Sequence, residues 1–262
     1  MSLTNGQKSN IQQVVINSLR SKFTNYKPES ACMPFHTRLL GKDRMALFSF
    51  IHSLNTNFGT TIFEPVALEL AKINFKIIKK QVTAGTQISD GAQREIQNII
   101  DEISAASVKP RKIEEIERIR KVCQTGKMHK VKLTKIDIYL EKTNGEKFLF
   151  DIKTAKPNKG SFKEFKRTLL EWTAVILSEN PEAKVNTLIA IPYNPYEPKP
   201  YDRWTMAGML DLGNELKVAE EFWDFLAGKD TYKDLLDCFE CVGIELREEI
   251  DNYFKKNTIN NV

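Results

Sequence analysis

The stretch Lys135-Ile136-Asp137-Ile138-Tyr139-Leu140-Glu141-Lys142 runs into Thr143-Asn144-Gly145 and then Glu146-Lys147-Phe148-Leu149-Phe150-Asp151-Ile152-Lys153. Apolar and polar residues alternate with a period near two on both sides of a Gly-containing break, which is the pattern of a β-hairpin. Register decides which charges meet. A two-residue turn at Asn144-Gly145 sets Asp137 opposite Ile152. A three-residue loop, Thr143-Asn144-Gly145, sets Asp137 opposite Asp151 and stacks Ile136, Ile138 and Leu140 on Ile152, Phe150 and Phe148. In that register one face is wholly apolar and the other collects Asp137, Asp151 and Lys153. Glycine at the last loop position suits the left-handed residue of such a bulged turn. A slip of one residue would bury carboxylates among phenylalanines, which is costly. The sequence therefore predicts the three-residue loop, with Gly145 at positive φ.

Two carboxylates and an ammonium on one face have a chemical use. Hard oxygen ligands at close range bind Mg²⁺, which keeps several waters and takes phosphate oxygens readily. Such a cation acidifies bound water and stabilises charge developing on a phosphate, while the lysine orients the attacking water. By spacing alone, the same charges equally suit a cross-strand salt-bridge cluster on a solvated face.

Outward from the hairpin, the N-terminal half reads as helical. Residues 10–23 and 42–55 carry apolar positions at helical spacing, and a longer apolar stretch covers 62–78, with Pro65 near its start where a missing amide donor costs little. Residues 81–92 read as a loop, followed by helices over about 92–105 and 112–123. Beyond the hairpin, residues 161–177 are amphipathic and 185–191 form an apolar run typical of a buried strand. Residues 192–204 are rich in Pro and Tyr and read as an irregular loop, and the remainder reads as helical and acidic. There are no repeats or low-complexity segments, so residues 1–262 read as a single domain.

Composition narrows the class. With 262 residues and 41% hydrophobic content the chain can fill a core. It has no apolar run near the ~20 residues of a membrane helix, and its first 20 residues lack an apolar signal stretch, so a cytoplasmic location is expected. Four cysteines do not make a disulfide scaffold, and the lone Cys238-x-x-Cys241 has no convincing second pair for zinc. No Gly-rich phosphate loop is present. Residues 121–170 hold 13 Lys/Arg against 5 Asp/Glu, whereas 201–250 hold 5 against 13. A basic middle beside an acidic tail suits one face for a polyanion; a solvated Lys-rich surface has the same composition.

Asp137 with Asp151-Ile152-Lys153 resembles the PD-(D/E)XK nuclease signature, in which acid-x-Lys lies on the strand after the one bearing the first aspartate. Ile136 replaces the proline of that motif, and aspartate stands where glutamate is more frequent. The wider chain is similar to type II restriction endonucleases of the TdeIII/MjaII type, through the segments Asn57-Phe58-Gly59-Thr60-Thr61-Ile62-Phe63-Glu64-Pro65-Val66-Ala67, Pro200-Tyr201-Asp202-Arg203-Trp204 and Glu221-Phe222-Trp223-Asp224-Phe225. The resemblance implies an α/β, restriction-endonuclease-like core: a mixed central sheet with a catalytic hairpin, flanked by helices. It implies Mg²⁺-dependent hydrolysis of double-stranded DNA at a short palindromic, GGNCC-like site, by a homodimer paired genetically with a DNA methyltransferase. Asp137 and Asp151 would bind metal, Lys153 would position water, and Glu64, with Glu69 as runner-up, would complete the site. Lys156, Asn158, Lys159, Lys163, Lys166 and Arg167, which follow the catalytic strand, are candidates for the DNA backbone. Arg203, in the Pro-rich loop, is the candidate for reading guanine. A repair or structure-selective nuclease of the same fold, or a catalytically silent DNA-binding module, would carry the same features.

Overall fold

A computed structural model describes residues 3–25, 33–202 and 204–259. The chain runs α1 (Asn5–Asn25), α2 (Pro34–Leu40), α3 (Lys42–Phe58), a π-helical turn (Gly59–Phe63) and α4 (Glu64–Ala71). It continues through β1 (Ile77–Val82), β2 (Gln87–Ser89), α5 (Asp90–Ser104), α6 (Lys112–Val122) and β3 (Met128–Lys130) to the hairpin, β4 (Ile136–Glu141) and β5 (Lys147–Ile152). After these come α7 (Phe162–Glu179), β6 (Val185–Ile191), the short helices α8 (Trp204–Ala207) and α9 (Leu212–Glu215), β7 (Leu216–Val218), α10 (Glu220–Ala227), α11 (Thr231–Glu245) and α12 (Arg247–Ile259). Among the described residues, no helix is long and apolar enough to cross a membrane.

The chain divides into two compact units: Met1–Leu70 with Lys229–Val262, and Ala71–Gly228. The first is helical. Asp234 on α11 accepts from the Leu3 amide at 2.6 Å and pairs with Lys8 at 2.6 Å, tying the start of α1 to α11. At the far end of α1, Phe23, Phe50, Tyr253 and Phe254 form an aromatic cluster with centroids 4.6 to 5.9 Å apart.

The second unit holds a five-stranded sheet in the order β1-β4-β5-β6-β7. β1, β4 and β5 are antiparallel, while β5, β6 and β7 are parallel, so the sheet is mixed. α7 makes the crossover from β5 to β6, the connection a parallel pair requires. In α5, Ile96, Ile99, Ile100 and Ile103 repeat at helical spacing and are buried. They join Val175 and Leu177 of α7 and Leu149 and Ile189 of the sheet in one core. Ser89 caps α5, its hydroxyl accepting from the Ala92 amide at 3.1 Å.

This is the expected α/β core, with three local corrections. The apolar stretch 62–78 is not one helix: α4 ends at Ala71 and Ile77-Ile78 open β1. The segment 81–92 is not a loop throughout, since it holds the end of β1, the whole of β2 and the first turn of α5. The acidic tail contains β7, a strand of 3 residues, too short to show a period.

Candidate active site

The hairpin takes the three-residue loop. Ile138 pairs with Phe150, Tyr139 with Leu149, Leu140 with Phe148 and Glu141 with Lys147. The Lys142 amide donates to the Glu146 carbonyl at 3.0 Å, and the Gly145 amide to the Lys142 carbonyl at 3.0 Å. Gly145 has φ 80°, a left-handed conformation that a side chain would strain. Carried one pair further, this register brings Asp137 across from Asp151. Asp137 Oδ2 accepts from the Ile152 amide at 2.7 Å, and its Oδ1 accepts from Gln81 Nε2 at 3.0 Å.

β5 is an interior strand, and this decides the character of the site. Asp151 is only 4% exposed, which separates the pair from an ion-pair cluster on a solvated face. Lys153 Nζ lies 2.6 Å from Asp151 Oδ1. The same ammonium sits 4.8 Å above the Phe165 ring of α7, and the Lys153 amide donates to the Ala190 carbonyl at 2.9 Å. The lysine is thus held from below, from the side and by its backbone. Burial pushes the Asp151 carboxyl up, Lys153 pulls it down, and Asp137 pushes it up again, leaving it at about 6. One ammonium therefore does not offset the burial of one carboxylate beside a second.

That imbalance is the test of fit for a divalent cation. Two carboxylates on adjacent strands, short of positive charge, are a hard-oxygen donor pair. Among the described residues, no group of three or more His, Cys, Asp or Glu that could hold a metal occurs. Two carboxylates completed by water and substrate phosphate are nevertheless the usual donor set for Mg²⁺, and the residues present fit it. Glu64 opens α4 and is 2% exposed, while Glu69 is half-buried and accepts from Asn10 Nδ2 at 3.2 Å. Both belong to the first compact unit, whereas Asp137, Asp151 and Lys153 belong to the second.

The residues expected to meet DNA divide. Lys156, Asn158 and Lys159 are exposed on the segment after β5, and Lys163 is exposed on the first turn of α7. Because β5 and β6 are parallel, their carboxyl ends lie at one edge of the sheet, where open α/β sheets place their ligands. Their following loops meet there: Tyr201 donates its hydroxyl to the Ala155 carbonyl at 3.1 Å, and Lys156 Nζ lies 5.2 Å from the Tyr196 ring. Arg167 is half-buried and donates to Gln97 at 2.9 Å. Arg203 lies outside the described residues.

Lys166 is a correction. It is fully buried, with its ammonium 2.5 Å from Glu115 Oε2 and 2.7 Å from Glu215 Oε2. Lys112 joins them, 3.2 Å from Glu215 Oε1 and 2.5 Å from Thr187 Oγ1. A cation enclosed by two carboxylates has no reach to a phosphate; it clamps α7 to α6 and α9. Helical spacing would have shown the same thing, since Lys166 shares its face with Phe162, Leu169 and Leu170.

Gln81 and Phe165 complete the site and carry no sequence signal of that role. Phe165 reads as one more apolar position of α7. Gln81 is linked to Asp137 only through the pairing of β1 with β4, which joins distant segments.

A family model described as type II restriction endonuclease, HinfI, matches residues 3–243. The chain is 26% identical over 221 residues to the type II restriction enzyme HgiCII of Herpetosiphon aurantiacus, covering 83% of this chain and 80% of that protein. HgiEI of the same organism is 25% identical over 221 residues, covering 83% and 79%. The type II restriction enzyme MjaII of Methanocaldococcus jannaschii is 25% identical over 278 aligned positions, covering 93% of this chain and 73% of that protein. The likeness to MjaII is as expected, and the matching family model is that of HinfI. With a match over nearly the whole chain and a mixed sheet whose hairpin joins Asp137, Asp151 and Lys153, the chain belongs to the HinfI family of type II restriction endonucleases, enzymes that cut DNA at specific sites.

Proposed function

We propose that this chain hydrolyses both strands of double-stranded DNA at a short palindromic, GGNCC-like sequence, with Mg²⁺ as the cation held by Asp137 and Asp151. The single observation that supports this reading most is the nearly buried Asp151, set beside Asp137 and bonded to Lys153. The cation, when bound, polarises the scissile phosphate and the attacking water. The protein's own groups do the rest. The Ile152 amide and Gln81 fix the Asp137 carboxylate, while Lys153 orients the water and offsets charge on the phosphoryl oxygens. A new bond forms from water oxygen to phosphorus, and the bond from phosphorus to O3′ breaks. The water loses a proton to solvent, O3′ gains one, and the products are a 5′-phosphate and a 3′-hydroxyl.

Lys156, Asn158, Lys159, Lys163 and Arg167 grip the backbone in this reading, and Arg203 reads guanine. The enzyme acts in the cytoplasm as a homodimer over residues 1–262, one subunit per strand, with a DNA methyltransferase encoded beside it. The test is incubation of supercoiled plasmid with the chain in Mg²⁺ and in EDTA. Discrete linear fragments in Mg²⁺ alone support the reading. Binding without any cleavage would make the chain a silent DNA-binding module, and nicking confined to damaged or branched DNA would make it a repair nuclease.

A further inference from the structure

Gln81 is a non-glycine residue with φ 53°, one residue before the end of β1. Its neighbours pair regularly across to β4, Lys80 with Ile138 and Val82 with Ile136, which leaves Gln81 across from Asp137. L-residues avoid this left-handed conformation, Asn and Asp being the usual exceptions, and it is foreign to a strand interior. Residues held this way persist where the surroundings over-determine them, and they cluster at functional sites. Here the distortion lies at the strand position facing a site carboxylate, and the side chain gives its amide to that carboxylate at 3.0 Å.

The geometry points to Gln81 as a positioning residue: its strained backbone delivers an amide that fixes the Asp137 carboxylate in the orientation needed to share a divalent cation with Asp151. This rests on the metal-site reading proposed above. The Ile152 amide holds the other oxygen, so the two donors together fix both oxygens of the carboxylate. An amide is suited to the task, because it donates to a carboxylate without adding a charge that would repel a cation. A lysine at the same place would compete with the metal, and a carboxylate would repel Asp137.

Two substitutions separate positioning from packing, because they act on stability in opposite senses. Gln81→Gly removes the amide and relieves the left-handed backbone, so the metal-free protein should melt at an equal or higher temperature. Gln81→Met keeps the length and the strain without a donor, so it should melt at an equal or lower temperature. Both should bind Mn²⁺ about 10–100-fold more weakly by calorimetry, the usual effect of losing a group that orients a metal ligand. Both should lose kcat for plasmid cleavage with little change in KM. Asp137→Asn and Asp151→Asn are run alongside. If these two lose Mn²⁺ binding while both Gln81 variants bind as the wild type does, the positioning role is wrong and the metal site stands. If the two Asn variants still bind Mn²⁺, the metal-site reading falls and the role of Gln81 falls with it.

Discussion

Asp151 concentrates the chemistry of the proposed site because its burial and the task proposed for it pull in opposite directions. The folded protein holds its proton more tightly than the unfolded chain, with a pKa near 6 against an ordinary 3.8. Between those values the folded state binds more protons, so this group's contribution to stability falls as pH rises through the window and is lowest above about 6. A divalent cation needs the ionised form, so its affinity should rise roughly tenfold per pH unit up to about pH 6 and level off above it. Calorimetric titration from pH 5 to 8 measures this, and a flat profile would contradict the assignment. Asp151→Asn should leave the metal-free protein at pH 8 as stable or more stable, by up to about 3 kcal/mol, because it removes a buried charge. The same change, or Lys153→Ala, should cost at least ~100-fold in cleavage rate. Lys166→Met should do the reverse, stranding Glu115 and Glu215 and costing about 3–5 kcal/mol in a denaturant melt. Asp137, Asp151 and Lys153 were legible in the sequence because alternation, turn chemistry and the cost of buried charge select one register. Gln81 was not, because its partner lies on a strand far along the chain, and Lys166 misled because a lysine between Lys163 and Arg167 reads as surface.

At the scale of elements, the hairpin was the most legible part, since Gly145 and the phenylalanine face leave a single workable pairing. α5, α6, α7 and β6 follow from apolar period and length. β1 was lost because Ile77-Ile78-Lys79-Lys80-Gln81-Val82 has no alternation and its middle is exposed. β7 was lost because 3 residues cannot display a period. The segment from β5 into α7 makes a prediction of its own. Lys163→Ala should weaken binding to every DNA sequence alike and lower the salt slope by about one. Arg203→Ala should cost about 1–3 kcal/mol against the cognate site and hardly affect random DNA. Competition binding in Ca²⁺ at two salt concentrations separates them. Equal losses on cognate and random DNA for Arg203→Ala would move base reading to another segment.

For the whole molecule, the basic stretch 121–170 coincides with the hairpin and the start of α7, so the charge asymmetry in the sequence falls where the proposed site would cut a polyanion. Family membership makes the chain a restriction endonuclease, and the proposed site assigns the cutting to Asp137, Asp151 and Lys153 of the hairpin. The most direct measurement of that assignment is digestion of a fully sequenced phage DNA in Mg²⁺ by the wild type and by Asp151→Asn, with every end mapped. All wild-type ends should share one short palindromic sequence, carry 5′-phosphates, and vanish with Asp151→Asn. Ends at unrelated sequences, or an unchanged fragment pattern from Asp151→Asn, would contradict the assignment.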